Sequence, residues 1–247
     1  MTAQFRAELL KLRSTQTTPG LAAGLLGLVL FVVLLHGLSV QAVHIDQRAN
    51  QLRLVFGWAA LLATLFAGLL GALSITGEFR HGTIRPTFLV TPRRGRVVAA
   101  KVGASMLVGS AFGVSAAAVA IAAGSMALTA RGLALRLDPG DYALLFAGCT
   151  VAAALWAAIG VGIGALVRSQ VPTLVGITAW LLFVEVLLLG DVGLVGDIGR
   201  FMPGALGRAS TGQDPQLAPA LAVVLLALYA AAAAAAGWAA TDRRDVA

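Results

Sequence analysis

Six apolar stretches, each close to the length that crosses a lipid bilayer, constrain this chain more than any other feature. They run roughly from Gly20 to Val40, Leu54 to Gly77, Val102 to Leu128, Tyr142 to Val167, Val171 to Gly190 and Gln216 to Ala240. A membrane helix needs about 20 predominantly apolar residues to cover the hydrocarbon core. Only 12% of the 247 residues are charged, about half the share of a soluble domain, so a sizeable soluble domain is excluded. The polar segments between the stretches are too short to hold one. The expected fold is an all-α membrane protein with six transmembrane helices, forming a single domain over residues 1–247.

The first stretch has features of a secretion signal: basic residues precede it, and Val40-Gln41-Ala42 resembles a small-residue cleavage site. Its apolar run is longer than the signal core of about 7–15 residues, which favours a span. Orientation follows from the loop arginines and lysines. With the N-terminus inside, the inner segments hold twelve of the 18 basic residues and the outer loops six. The expectation is a multi-pass membrane protein with both termini cytoplasmic. The basic excess, +7 at pH 7, then faces anionic lipid, and nothing else in the chain suggests nucleic acid. The one cysteine, Cys149, excludes an internal disulfide framework and a cysteine-built metal site.

Helices in lipid associate by close packing of small residues. Gly20 and Gly24, Gly109 and Gly113, and Gly160 and Gly164 each place two glycines on one helix face, and Ala230 to Ala236 form an alanine run. Ordinary helix packing and a dimer or sliding seam both fit these residues.

The segment after the second stretch runs Gly77-Glu78-Phe79-Arg80-His81-Gly82-Thr83-Ile84-Arg85-Pro86-Thr87-Phe88 and on through Thr91-Pro92-Arg93-Arg94 to Lys101. Thr83 suits a helix cap and Pro86 a first turn. Ile84 and Phe88 share a face at i, i+4, and Thr91-Pro92 reads as a second helix start. The expected product is a short amphipathic helix flanked by arginines. It could be a lipid-surface helix with snorkelling arginines or a docking helix for a cytoplasmic partner. At the N-terminus Phe5, Leu9 and Leu12 recur at i, i+4, i+7 and predict an amphipathic helix over residues 1–19.

Glu78, Arg80, Gly82, Thr83, Ile84, Thr91, Pro92, Arg94 and Lys101, together with Ala7 to Ser14, resemble the first cytoplasmic loop and interface helix of type 2 ABC-transporter permeases. The likeness is motif-specific over roughly residues 5–14 and 77–101, and otherwise one of topology. It implies a permease subunit of an ATP-driven exporter, paired with a second permease copy and docked on two copies of an ATPase subunit. It also implies a coupling helix within residues 78–101. The implied coupling residues are Glu78, Arg80, Thr83, Ile84, Arg85 and Phe88, with Glu8 and Lys11 supporting them. No enzyme activity and no cofactor are expected in this chain; ATP and Mg would belong to the partner. A P-loop needs Gly-Lys-Ser/Thr, whereas the two lysines, Lys11 and Lys101, precede Leu12 and Val102.

Glu185 is the one clearly intramembrane ionisable residue, and such residues are functional candidates by default. It could equally be solvated or hydrogen-bonded near the outer end of its span. Residues 191–215 are too apolar for a plain outer loop and resemble the family's re-entrant outer hairpin. The expected outer gate and substrate path comprise Glu185, Trp180, Phe183 and Phe66. Trp58 and Trp156 add to an apolar path suited to a hydrophobic or amphipathic cargo such as a drug, antibiotic or lipid.

Three rival functions remain. Gly113-x-Ser115-x-Ala117 is weakly similar to a membrane serine protease motif, but no histidine lies in the later spans to act as base. The dispersal of His36, His44 and His81 also disfavours a histidine metal site. A secondary transporter should show mid-membrane charges and an internal repeat, and neither is evident. A non-transporting membrane scaffold for an ATPase is the third.

Overall fold

The computed structural model describes residues 2–83, 94–185, 187 and 196–243, and among these every regular element is helical. The chain begins with α1 (Thr2–Ser14) and α2 (Thr17–Ser39), followed by the single turns α3 (Ala42–Ile45) and α4 (Arg48–Gln51). A π-helical turn (Leu52–Phe56) leads into α5 (Trp58–Arg80). Then come α6 (Arg94–Ala130), α7 (Pro139–Val167) and α8 (Gln170–Ala179), which passes into a second π-helical turn (Trp180–Val184). A 3-10 turn (Gly196–Phe201), α9 (Pro203–Ala209) and α10 (Pro219–Arg243) complete the order.

Among the described residues, five helical segments are long and apolar enough to cross a membrane: Thr17–Ser39, Arg48–Arg80, Gly95–Ala130, Pro139–Val167 and Pro219–Asp242. The expected fifth span appears as a shorter apolar helix, Gln170–Val184. Its predicted continuation through residues 188–190 lies outside the described residues, as do 84–93 of the expected coupling helix and 191–195 of the expected hairpin. The described part of that hairpin consists of the 3-10 turn and α9.

Several helices outrun their apolar cores. The second segment spans 33 residues, about 50 Å at 1.5 Å per residue, so its ends carry polar turns. Helix α7 begins three residues before the expected Tyr142. There Asp138 and Asp141 form a reciprocal capping box, with Pro139 in the first turn. It ends at Arg168, whose left-handed backbone (φ 59°) halts the helix while its N–H still bonds Gly164. Helix α10 starts at Pro219 rather than Gln216, again with proline in the first turn.

Helix α7 is the axis of the bundle, and glycine makes its neighbours' approach possible. A Cβ on Gly160 would stand 2.0 Å from the Gly68 carbonyl of α5, and one on Gly71 2.0 Å from the Ala157 carbonyl. On a second side Gly113 of α6 lies against Cys149, and on a third Gly162 lies against Ala233 of α10. Backbone-to-backbone contact of this kind maximises dispersion attraction where lipid supplies no hydrophobic drive. Two of the three glycine pairs read from the sequence therefore serve packing within the chain. Gly20 meets nothing, whereas Gly24 faces the Phe66 ring. The outward faces of α2, α8 and α10 expose Phe31, Val171 and Leu228 at 62%, 67% and 61%. Such an apolar perimeter is rare on soluble monomers.

At the end of the bundle where α5 starts, the loop segments are tied by polar contacts. Arg48 grips Asp141 with two hydrogen bonds, Nε lying 2.6 Å from Oδ2. Arg136 pairs with Asp46 at 2.7 Å. Gln51 donates to the Ala134 carbonyl at 2.8 Å and accepts from the Arg136 N–H at 2.9 Å.

Candidate functional site

The N-terminal helix turns inward the face that its apolar spacing suggests, and it buries a glutamate along with it. Leu12 is buried, Phe5 is half-buried against Gly103, and Leu9 is half-buried. Glu8 is buried too, at 4% exposure, on the same face. A lone carboxylate there would be costly to desolvate. Its partners come from far along the chain.

Four charges meet at this point. Lys101 Nζ donates to Glu8 Oε2 at 2.6 Å, to Glu78 Oε1 at 2.7 Å and to the Ser74 carbonyl at 3.2 Å. An ammonium has three N–H bonds, so Lys101, 1% exposed, is fully satisfied. Lys11 Nζ donates to Glu8 Oε1 and Glu78 Oε1, each at 2.9 Å, with its side chain 48% exposed. Two cations and two anions cancel, which makes the group tolerable at low dielectric. Glu78 lies in the last turn of α5, where a carboxylate opposes the helix dipole, and the two ammonium groups offset that. Burial alone would lower the Lys11 pKa. The hydrogen bonds and charges of Glu78 and Glu8 outweigh it and hold the group above the ordinary lysine value.

The cluster has a definite place in the topology. Glu78 stands where α5 gives way to the segment at 81–93, and Lys101 follows that segment in α6. Their ion pair closes the roots of the loop, and Glu8 and Lys11 fasten α1 to the same knot. Beside it opens a cavity of about 630 Å³, with Leu12, Leu70 and Leu73 on its apolar wall and Arg80, His81, Thr83 and Gln170 among its polar lining. Glu78 Oε2 and Thr18 Oγ1, on two residues that line this cavity, are buried without a hydrogen-bond partner. Arg80 reaches across to Gln170 Oε1 at 3.2 Å. The arrangement can accept a hydrogen-bond donor on an amphipathic molecule, and it can carry a movement of the loop roots into α1.

Of the residues expected to couple to a partner, Glu78, Glu8 and Lys11 are drawn together. Arg80 and Thr83 line the adjoining cavity, and Ile84, Arg85 and Phe88 lie outside the described residues. Lys101 was missing from that set. The signal for it was compositional: it is one of two lysines in the chain and stands within Val97-Val98-Ala99-Ala100-Lys101-Val102.

At the other end of the bundle Glu185 is fully buried. Its Oε1 accepts from the Trp180 indole at 2.7 Å and from the Gly204 N–H at 2.8 Å. Arg208 stands 4.0 Å from Oε2. Glu185 therefore anchors the start of α9, aided by Trp156, whose indole donates to the Pro203 carbonyl at 3.3 Å. A Cβ on Gly204 would meet Glu185 Oε2 at 2.3 Å and the Leu181 side chain at 2.6 Å, so any larger residue there would displace the carboxylate. Trp180 belongs to this anchor, but Phe183 and Phe66 do not. Phe183 is 68% exposed, and Phe66 packs between α2 and α5 near Gly24.

No family model matches this chain, and no curated protein does.

Proposed function

We propose that this chain is the membrane-spanning permease subunit of an ATP-driven exporter of the type 2 ABC class. On this reading a second permease copy completes the substrate path, and a separate ATPase drives it. The α1 end and the loop at 81–93 face the cytoplasm. The observation that carries the reading is the four-charge knot of Glu8, Lys11, Glu78 and Lys101. A segment that receives mechanical work from a partner needs both roots held, and held to something that moves with them. Here the roots are fixed to each other and to the interface helix. The cavity beside the knot, apolar with two unpartnered polar atoms, suits a hydrophobic or amphipathic cargo. Glu185, Trp180 and α9 form the outer closure of the path.

Reconstitution of the purified chain with a separate ABC-type ATPase subunit tests the proposal. ATP-dependent movement of an amphipathic dye, abolished by a P-loop-dead ATPase, is the expected result. Movement driven by a proton or sodium gradient alone would make the chain a secondary transporter. ATPase binding without transport would make it a scaffold.

A further inference from the structure

A second cavity, of about 610 Å³, lies at the bundle end where α5 starts, and its lining has a different character. Arg53 and Arg208 contribute to it, as does Arg200, which already has a partner of its own, and Asp214 is the carboxylate among its described lining. That carboxylate already accepts the Gln216 N–H at 2.8 Å. Arg208 has its side chain 26% exposed, and the Glu185 carboxylate that it faces stands at 4.0 Å, an ion-pair distance beyond hydrogen-bond reach. Arg53 and Arg208 line the same hollow. Like charges held together in a partly desolvated hollow raise the potential for an anion.

The framework holds the arginines in place. Arg53 belongs to the π-helical turn Leu52–Phe56, a local geometry found mostly as single-turn bulges inside α-helices, often at functional sites. Gln213, which also lines the cavity, docks on Gly57 so closely that a Cβ there would lie 2.3 Å from its Oε1. Its amide also donates to Thr211 Oγ1 at 2.7 Å. Gly212 makes the turn out of α9 with φ +79°, a conformation that glycine adopts without strain. Arg208 is fixed by α9, which Glu185 anchors.

We propose that this cavity binds a phosphate-type oxyanion carried on a larger molecule. Guanidinium groups match phosphate in bidentate geometry, and several of them around one hollow suit a group with several oxygens. The volume exceeds what a single phosphate fills and lies within the usual range for small-molecule sites, about 300–1,000 Å³. Leu54, Ala205 and Pro215 in the lining offer apolar contact to the remainder of the ligand. The same chemistry comes from a lipid headgroup or from a soluble phosphate ester. The site stands independently of the transport reading.

The full-length chain in detergent would be titrated with inorganic pyrophosphate by calorimetry. In parallel it would be held in nanodiscs of phosphatidylcholine with or without phosphatidylglycerol, and retained lipid counted by native mass spectrometry. Arg53→Gln and Arg208→Gln are the variants, and Arg136→Gln is the control at the same end. Arg53 is exposed, so its replacement leaves the packing intact even if Arg208→Gln misfolds. Saturable pyrophosphate binding weakened about tenfold or more by Arg53→Gln, with Arg136→Gln unchanged, supports a soluble phosphate ligand. Selective retention of phosphatidylglycerol, lost in Arg53→Gln, supports a headgroup. Binding of neither probe, or binding that Arg53→Gln leaves unaltered, overturns the proposal.

Discussion

Lys101 and Glu78, 23 residues apart in the chain, meet at 2.7 Å and close the loop between them. The contact is sealed on the lysine side and partly buried on the glutamate side, it is shared with Glu8, and it leaves no N–H of Lys101 without an acceptor. Such a group is held by mutual compensation, and removing one member strands the others.

Lys101→Met is accordingly expected to destabilise the protein by about 3–5 kcal/mol, since two carboxylates lose their buried cation. Adding Glu8→Gln and Glu78→Gln to Lys101→Met should recover part of that loss. Thermal unfolding in detergent across the single and combined variants measures both effects. Additive losses would mean that the four groups do not act as a unit.

Lys11 gives the cluster an alkaline limit. Its pKa is raised above the ordinary 10.5 in the folded protein. Its contribution is then fully present below that ordinary value and is lost as pH rises through the higher folded-state value. The difference in unfolding temperature between the parent and Lys11→Met should hold steady up to about pH 10 and narrow above it. A difference that stays constant through pH 11.5 would contradict this. The group is half exposed, so the effect should be modest and should shrink further in high salt.

Glu185→Ala leaves the buried Gly204 N–H and the Trp180 indole without their acceptor. The expected cost is about 1–3 kcal/mol, and Glu185→Gln should lose less because its amide oxygen can still accept. Unfolding curves distinguish the two variants. Under the proposed function, Glu185→Gln should slow ATP-driven transport, and unchanged transport at normal expression would remove Glu185 from the proposed outer closure.

Gly160→Ala and Gly20→Ala make the same chemical change with opposite expectations. The first drives a methyl group to 2.0 Å from the Gly68 carbonyl, whereas the second meets nothing within 4 Å. Gly160→Ala should cost at least about 1–3 kcal/mol and push α5 away from α7. Gly20→Ala should be neutral or slightly stabilising. Equal behaviour of the two would mean that the α5–α7 contact contributes little to stability.

The long helices were legible because hydropathy at membrane length is a strong, local signal. The short helix Gln170–Val184 was harder to delimit, since its apolar run continues past the π-helical turn at 180–184. The bulge at Leu52–Phe56 left no mark, because an extra residue in a turn changes geometry without changing composition. Glu8 shows the sharper limit. Periodicity assigns a glutamate beside an apolar stripe to solvent, yet Lys101, 93 residues away, makes its burial affordable. Glu185 was legible as a residue of interest from its apolar neighbours, but its partner Gly204 N–H was not, because a backbone donor carries no signature. Phe183 and Phe66 were grouped with it on aromatic character, which says nothing about which way a side chain faces.

The knot at the loop roots also concentrates the chain's side-chain amine chemistry at one point. Lys11 and Lys101 are its only lysines, one half in water and one sealed at 1% exposure. An acylating reagent should therefore modify Lys11 readily and reach Lys101 only when the loop roots part. The protein carries a built-in reporter: the ratio of acylation at its two lysines reads how far that latch is open, with no label introduced.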